Sequence, residues 1–246
     1  MGQVIAVVSG KGGTGKTALT ALAGVALAGL GKRALLLDCD VGLRDLDLAL
    51  GMSDRVLMDF SDVVAGRATL DDAVSVHPRL GNLFLLTAPV TTEASLDAPD
   101  GMRALLDEAR EKYDFCLIDG GAGLGESFRL ATEHADRVIV VTTAEPSCLR
   151  DAQRTVMELR DFPDGAVHLV VNRLRRRLLK SLRSNIDDAM DMAGLPLLGV
   201  VPEDDDLSAL LAKGRADGFG YYSPARRAAR NIARRLCGER VPLMKI

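Results

Sequence analysis

Apolar residues recur along this chain in short, nearly continuous runs, and the segments between the runs carry apolar positions at helical spacing. Continuous runs are typical of parallel strands that helices cover on both faces. The runs predict strands at 4–8, 34–37, 83–86, 115–118, 138–141, 167–171 and 197–201. The intervening segments predict helices at 17–30, 101–112, 127–135, 149–160, 178–193, 207–213 and 224–236. This alternation predicts an α/β fold, with a doubly wound, mostly parallel sheet and helices on both faces.

The first predicted helix is rich in alanine and glycine. Gly24 and Gly29 are spaced to let this helix lie very close to the sheet. Gly31 follows the last apolar position and therefore predicts the helix end. The longest apolar stretch, 18–31, is too short to cross a membrane, which takes about 20 residues. We expect it to form a buried helix.

Size and composition are those of an ordinary globular protein. The 246 residues, 48% hydrophobic and 26% charged, are enough to bury one large core, so we expect a single domain over 1–246. The formal net charge of -3 argues against a protein that coats nucleic acid with its whole surface. Four cysteines without a C-x-x-C pattern indicate neither a disulfide framework nor a metal site, which favours a reducing cytoplasm.

A glycine-rich segment follows the first predicted strand and leads directly into the first helix. It matches the phosphate-loop pattern G-x-x-x-x-G-K-[ST], with the strand and the helix that this pattern requires on either side. Glycines allow backbone angles that turn successive N–H groups inward, and the helix start adds the positive end of its dipole. We therefore expect the loop to bind ATP, with Lys16 on the β and γ phosphates and the Thr17 hydroxyl on Mg²⁺. The predicted binding residues of the loop are Gly10, Lys11, Gly12, Gly13, Thr14, Gly15, Lys16 and Thr17.

Three aspartates stand where two predicted strands end. Asp38 and Asp40 lie at the mouth of the second strand, and alternation along the strand points them to one side. Asp119 ends the fourth strand, which is the Walker B arrangement for a carboxylate that binds Mg²⁺ directly or through water. We expect Asp40 to orient the attacking water and Asp38 to support Mg²⁺ or the neighbouring segment, because phosphoryl transfer needs positioning and charge compensation. A loop-capping role for these aspartates is the alternative.

A second lysine at the start of the phosphate loop narrows the choice of family. With Lys11 the loop reads K-G-G-T-G-K-T, and the sequence resembles the deviant Walker A ATPases of the MinD/ParA group, whose loop is K-G-G-x-G-K-[ST]. The stretch 42–48 looks like switch I of the MinD branch, although Asp45 stands where that branch usually has asparagine. The resemblance runs over nearly the full length. It implies a P-loop NTPase fold of SIMIBI type and an ATPase that forms a homodimer around two ATP molecules.

The same resemblance implies roles for further residues. Lys11 would reach across the dimer interface to the partner's nucleotide and would belong, with Lys16 and Asp40, to the catalytic set. Asn172 resembles an adenine contact of the family and can donate and accept toward a purine edge, while loop capping is the alternative. The stretch 120–123 reads Gly-Gly-Ala-Gly where the MinD branch has Ser-Pro-Ala-Gly, so we expect a more flexible switch II. The implied adenine-side residues are Asn172, Arg173, Pro202 and Glu203, and the implied interface residues are Glu145, Ser147 and Asp151.

The resemblance also implies partners and a place in the cell. MinD-type ATPases position a division regulator and reach the membrane through a basic amphipathic tail, and the residues after Pro242 do not offer the two faces of such a helix. Membrane recruitment in the usual manner is therefore not expected from this sequence. We expect a cytoplasmic ATPase that has a protein regulator. If the ATPase binds lipid, we expect it to be peripheral on the inner face of the cell membrane.

Two basic clusters offer another surface, for anionic lipid or for the DNA backbone. DNA would suit a ParA-type partitioning ATPase, which is the main alternative function, and a flagellar-number regulator on the same fold is a weaker one. The second cluster accompanies an apolar stripe, so a terminal helix that packs on the domain with a solvated arginine face is the alternative interpretation. The clusters are Arg173, Arg175, Arg176, Arg177, Lys180 and Arg183, and Arg226, Arg227, Arg230, Arg234 and Arg235.

Overall fold

The computed structural model describes residues 1–41, 43–90, 99–175, 186–218 and 223–244, and these ranges contribute eight strands to one sheet. The strands are β1 Gln3–Ser9, β2 Ala34–Asp38, β3 Ser75–His77, β4 Leu80–Leu86, β5 Phe115–Ala122, β6 Arg137–Thr142, β7 Val167–Leu174 and β8 Leu197–Pro202. Their order is β3-β4-β2-β5-β1-β6-β7-β8, and every neighbouring pair is parallel except β3 and β4 at one edge. The mostly parallel sheet predicted from the sequence is confirmed.

Helices cover both faces of this sheet, as predicted. The described helices are α1 Lys16–Gly29, α2 Leu46–Leu50, α3 Phe60–Val64, α4 Leu70–Ala73, α5 Pro99–Lys112, α6 Glu126–Thr132, α7 Pro146–Glu158, α8 Ile186–Ala193, α9 Asp205–Leu211 and α10 Pro224–Leu236. Helices α1, α2, α9 and α10 pack on one face, and α3 to α8 pack on the other. Side chains of β1 alternate between the two resulting cores, with Val4 and Ala6 in one and Ile5 and Val7 in the other.

All seven predicted strands are present, but several short elements were missed. Strand β3 has three residues, and α2, α3 and α4 have four or five, which is too short for a periodic pattern to show. Their capping residues were the readable signal, since Thr69 and Asp72 form a capping box at the start of α4. The predicted helix at 178–193 is helical from Ile186, and 178–185 lies outside the described residues.

Helix α1 makes the close contact that its glycine content predicts, but at one of the two positions only. Gly24 is buried, and a Cβ added there would lie 2.6 Å from Cδ2 of Leu36 in β2. Gly29 is exposed, and no described atom lies within 4 Å of an added Cβ, so the prediction that it serves close packing is wrong. Gly31 follows the helix end as predicted, with a φ of 79° and a hydrogen bond from its N–H to the Ala28 carbonyl.

Two of the cysteines contribute to the core. The four cysteines are free, and Cys39 and Cys116 pack in the core on one face of the sheet, where they act as small apolar residues. In the described ranges, no helix combines the length and the apolar character that a membrane crossing requires.

The sheet order places the glycine-rich loop at a crowded edge. Strand β1 lies between β5 and β6, so the loop that follows it opens at the carboxyl edge, where ligands bind in sheets of this kind. Strand β5 continues through Gly120 and Gly121 to Ala122, so three of the four residues of the predicted switch II belong to a strand. The acidic ends of β2 and β5 thus face the same loop.

Replacing Gly24 with valine should lower the free energy of unfolding by about 1–3 kcal/mol, because the added methyl groups must displace Leu36 in a packed core. Gly29→Ala is the matched control on the same helix and should be neutral or stabilise by up to about 1 kcal/mol. Urea unfolding followed by circular dichroism measures both. Equal losses for the two variants would contradict the close approach at Gly24.

Candidate nucleotide-binding site

The loop between β1 and α1 presents unpaired backbone amides at the carboxyl edge of the sheet. Gly13 and Gly15 have φ angles of 80° and 87°, in the left-handed region that glycine adopts without strain. Within the described part of the chain, the N–H groups of Gly12, Gly13 and Gly15 donate no hydrogen bond. The Thr14 hydroxyl is buried beside them and has no partner there either. A row of unpaired donors at a helix start fits phosphate oxygens, so the loop has the geometry that its motif requires.

Lys16 brings a buried positive charge to this loop. It lies in the first turn of α1, and only 7% of its surface is exposed. Burial raises the pKa of Asp40 and of Asp119, and the Lys16 ammonium is among the groups that oppose this rise at both carboxyls. The lysine therefore stands between the loop and the acids, where it can meet a phosphate.

Asp38 and Asp119 lie opposite each other on the adjacent parallel strands β2 and β5. Burial, followed by the charge of Asp119, raises the pKa of Asp38 to about 7. Burial likewise raises the pKa of Asp119 to about 6, against the hydroxyl of Thr17, the Lys16 ammonium and the hydroxyl of Thr20. Two buried carboxyls side by side disfavour double ionisation, and a nearby divalent cation would offset their repulsion.

Asp38 also holds the segment that follows β2. Its Oδ1 accepts a hydrogen bond from the Asp40 N–H at 2.9 Å, and its Oδ2 accepts one from the Leu46 N–H at 3.2 Å, at the start of α2. Asp40 lies beyond the strand, half-buried, and its Oδ1 is 3.5 Å from a Cβ added at Gly121. The two aspartates therefore share one mouth of the sheet, while the water-orienting role of Asp40 stays a prediction.

The groups around Asp119 suit magnesium that arrives with a nucleotide. In the described ranges, no group of three or more His, Cys, Asp or Glu side chains could hold a metal ion. Thr17 and Asp119 offer one hydroxyl and one carboxylate, which leaves most positions to phosphate and water, as Mg²⁺ prefers. Thr20 was missed from the sequence, although it lies one helical turn after Lys16. Its hydroxyl donates to Asp119 Oδ1 at 3.2 Å and to the Lys16 carbonyl at 3.0 Å.

A cavity of about 180 Å³ beside the start of α1 is lined by the four residues predicted to face adenine, and apolar side chains of α1 and α9 complete its walls. Arg173 and Arg175 both bond Glu203 at 3.2 Å. Burial would raise the pKa of Glu203, but the two arginines outweigh it and lower this pKa. Apolar walls with a charged rim are typical of a site for a flat base. The predicted set that this cavity brings together is Asn172, Arg173, Pro202 and Glu203.

Lys11 lies apart from the buried acids, on the exposed side of the loop. Its Nζ is 3.4 Å from Oγ of Ser147 near the start of α7, and Glu145, which is exposed, is the N-cap residue of that helix. Gly10 packs against the same helix, since a Cβ there would lie 2.5 Å from the carbonyl oxygen of Asp151. Of the three predicted interface residues, Ser147 contacts Lys11, and a role for this surface in contact with a second subunit stays a prediction.

The two basic clusters differ in what the structure describes. Helix α10 carries the second cluster and packs its apolar face into the core with α1. There Arg234 pairs with Glu239, and Arg235 donates to the Leu198 and Val241 carbonyls, so both stabilise the terminal helix. The remaining arginines of this helix, Arg226, Arg227 and Arg230, line a cavity of about 460 Å³ beside α1. In the first cluster Arg173 and Arg175 are described, and Arg176, Arg177, Lys180 and Arg183 lie outside the described residues.

Comparison with known proteins gives a consistent result. Residues 5–216 match the model of the CobQ/CobB/MinD/ParA nucleotide binding domain. The chain is 39% identical to septum site-determining protein MinD of Bacillus subtilis, over 99% of this chain and 92% of that protein. Among solved structures, it resembles the MinC:MinD cell division protein complex of Aquifex aeolicus, with a TM-score of 0.90 and 33% identity over 99% of this chain and 98% of that one. It also resembles septum site-determining protein MinD complexed with Mg-ADP from Pyrococcus horikoshii, with a TM-score of 0.84 and 33% identity over 96% of each chain.

The nucleotide-free protein should lose stability as the pH rises from about 4 to about 7. Folding raises the pKa of Asp38 to about 7 and of Asp119 to about 6 from a usual 3.8, so the folded chain binds more protons than the unfolded chain in this interval. Asp119→Asn should flatten the fall and add about 1–3 kcal/mol of stability at pH 8, because one buried carboxyl no longer has to ionise.

Urea unfolding between pH 4.5 and pH 8, without nucleotide or Mg²⁺, measures this pH dependence. Asp54→Asn removes an exposed carboxyl of the same kind and should leave the curve unchanged. An Asp119→Asn protein that is less stable than the parent at pH 8 would contradict the repulsion between the two acids.

Proposed function

The chain belongs to the CobQ/CobB/MinD/ParA nucleotide-binding family, and on that premise we propose that it is a MinD-like ATPase that dimerises on ATP and hydrolyses it. Its role is the spatial control of cell division, the selection of the septum site, which is the function named for its full-length relatives. One ATPase domain over 1–246 carries this activity, and the continuous sheet supports that organisation.

The observation that carries the proposal is the phosphate loop, with its unpaired amides, its buried Lys16 and its exposed Lys11. The amides and Lys16 bind the β and γ phosphates of ATP, since both supply positive charge to the same oxygens. Thr17 and Asp119 would hold Mg²⁺, which would neutralise charge on the phosphates. Asp38 lies beside Asp119 on the neighbouring strand, and the same cation would offset the repulsion between the two carboxylates.

Hydrolysis needs a water molecule aligned with the γ phosphate rather than a covalent intermediate. Asp40 is half-buried at the mouth of the sheet, close enough to Lys16 for the ammonium to oppose its raised pKa. Asp40 orients that water and accepts its proton as the bond from the water oxygen to the γ phosphorus forms, while the bond from that phosphorus to the β–γ bridging oxygen breaks and ADP leaves. Lys11 points outward beside α7 and contacts the nucleotide of a second subunit, so that a complete site forms only in the dimer.

The comparisons favour some partners over others. The Aquifex aeolicus structure is a complex of MinC with MinD, and a MinC-type regulator is the partner that we propose for this chain. A ParA family ATPase from Chlorobium tepidum is 24% identical, which shows a shared fold alone, so the alternative of DNA partitioning has no comparable support. We propose a cytoplasmic protein that associates peripherally with the inner face of the membrane.

Lys16→Ala should weaken Mg-ATP binding about 10- to 100-fold, because a buried charge on the phosphates is lost. Lys32→Ala, at the other end of α1, is the matched control and should bind as the parent does. Isothermal titration calorimetry with Mg-ATP and Mg-ADP measures both affinities. Unchanged affinity in Lys16→Ala would overturn the assignment of the loop.

Asp40→Ala should bind ATP without hydrolysing it and therefore accumulate as a dimer. Adding Lys11→Ala to this variant should return the protein to monomer while ATP stays bound, because the contact across the interface is lost. Light scattering with Mg-ATP gives the mass, and Lys32→Ala in the same Asp40→Ala background should remain dimeric. An Asp40→Ala protein that stays monomeric in Mg-ATP would count decisively against the dimer mechanism.

A further inference from the structure

Two residues at the end of β7 contact the phosphate loop itself, besides lining the adenine-side cavity. Asn172 is 5% exposed, and its Nδ2 donates to the Thr14 carbonyl at 2.8 Å and to the Gly15 carbonyl at 3.4 Å. Arg173 donates through Nη1 to the Gly13 carbonyl at 3.2 Å. Three consecutive carbonyls of the loop are therefore held from one side.

The packing between Asn172 and the loop is tight. A Cβ added at Gly15 would lie 2.4 Å from Asn172 Nδ2, so the asparagine occupies the space that any other residue at position 15 would need. Gly15 also has a φ of 87°. The last glycine of the loop is thus required both by its backbone angle and by this side chain.

Arg173 adopts an unusual backbone conformation, with a φ of 53° in the left-handed region. A non-glycine residue keeps such a conformation when its surroundings hold it there, and residues of this kind cluster at functional sites. The guanidinium supplies that hold, since it bonds Glu203 with Nε and Nη2 and the Gly13 carbonyl with Nη1. The Arg173 side chain therefore connects the adenine-side cavity with the phosphate loop.

The geometry of the peptide unit turns these contacts into a function. In a planar trans peptide the C=O and the following N–H point in opposite directions. Fixing the carbonyls of Gly13, Thr14 and Gly15 on β7 therefore aims the N–H groups of Thr14, Gly15 and Lys16 toward the opposite side, where the phosphates bind. We propose that Asn172 and Arg173 are positioning residues that brace the phosphate loop in its phosphate-binding form, with Glu203 anchoring Arg173.

This inference rests on the proposed function and differs from an adenine contact in what it predicts. A residue that acts on the base alone leaves the binding of a triphosphate without a base unchanged. A residue that braces the loop weakens that binding as much as it weakens the binding of ATP. Magnesium tripolyphosphate is therefore the diagnostic ligand.

Asn172→Leu keeps the size of the side chain and removes the donor, and Arg173→Ala removes the second brace from an exposed position. Both should weaken magnesium tripolyphosphate and Mg-ATP by the same factor, about tenfold for each. Arg175→Ala is the matched control, because Arg175 bonds Glu203 but makes no contact with the loop in the described residues. It should retain parental affinity for both ligands.

Calorimetry gives the affinities, and the melting temperature of each ligand-free variant checks that it is folded. Arg173→Ala keeps the test decisive if Asn172→Leu does not fold. Loss of ATP affinity with parental affinity for tripolyphosphate would overturn the inference and leave the proposed function standing. A parent chain that binds neither ligand would overturn both.

Discussion

The rest of the structure depends on one arrangement at the carboxyl edge of the sheet. The phosphate loop presents unpaired amides there, and two buried carboxyls lie behind the loop. The two carboxyls repel each other, and the amides are donors that phosphate oxygens can use. Lys16 offsets part of this repulsion, because its buried ammonium opposes the rise in the pKa of Asp119. Asp38 and Asp119 are paired in the sheet, so the register of β2 and β5 keeps the two repelling carboxyls side by side. A magnesium-bound triphosphate carries oxygens that can accept from the amides and a cation that can offset the repulsion between the carboxyls.

Local and periodic signals in the sequence predict most of the fold and the phosphate loop. The strands were found because their apolar runs are continuous, and the phosphate loop because its residues are contiguous and flanked by a strand and a helix. Gly24 and Gly29 look alike in the sequence, yet only Gly24 meets the sheet, because helix phase and exposure separate them. Strand β3 escaped because three residues carry no period.

Contacts between distant parts of the chain could not be predicted in the same way. The adenine-side role of Asn172 is implied by the family resemblance, whereas the bond of its amide to the Thr14 carbonyl joins residues 158 positions apart and no motif indicates it. The role of Thr20 could not be predicted for a related reason. Thr20 lies in helix α1, and its partner Asp119 lies in strand β5, 99 positions away. Such pairings follow from the order of strands in the sheet, which no single motif encodes.

The hydrogen bonds of Asp38 join the end of β2 to the start of α2. One carboxylate holds both the Asp40 amide and the first amide of α2, and no second anchor of this kind joins them in the described residues. The two ends of the seven-residue span 40–46 are therefore held by the same carboxylate. Through these two oxygens, the buried acid at the end of β2 is joined directly to the first turn of a short helix on the other side of the loop.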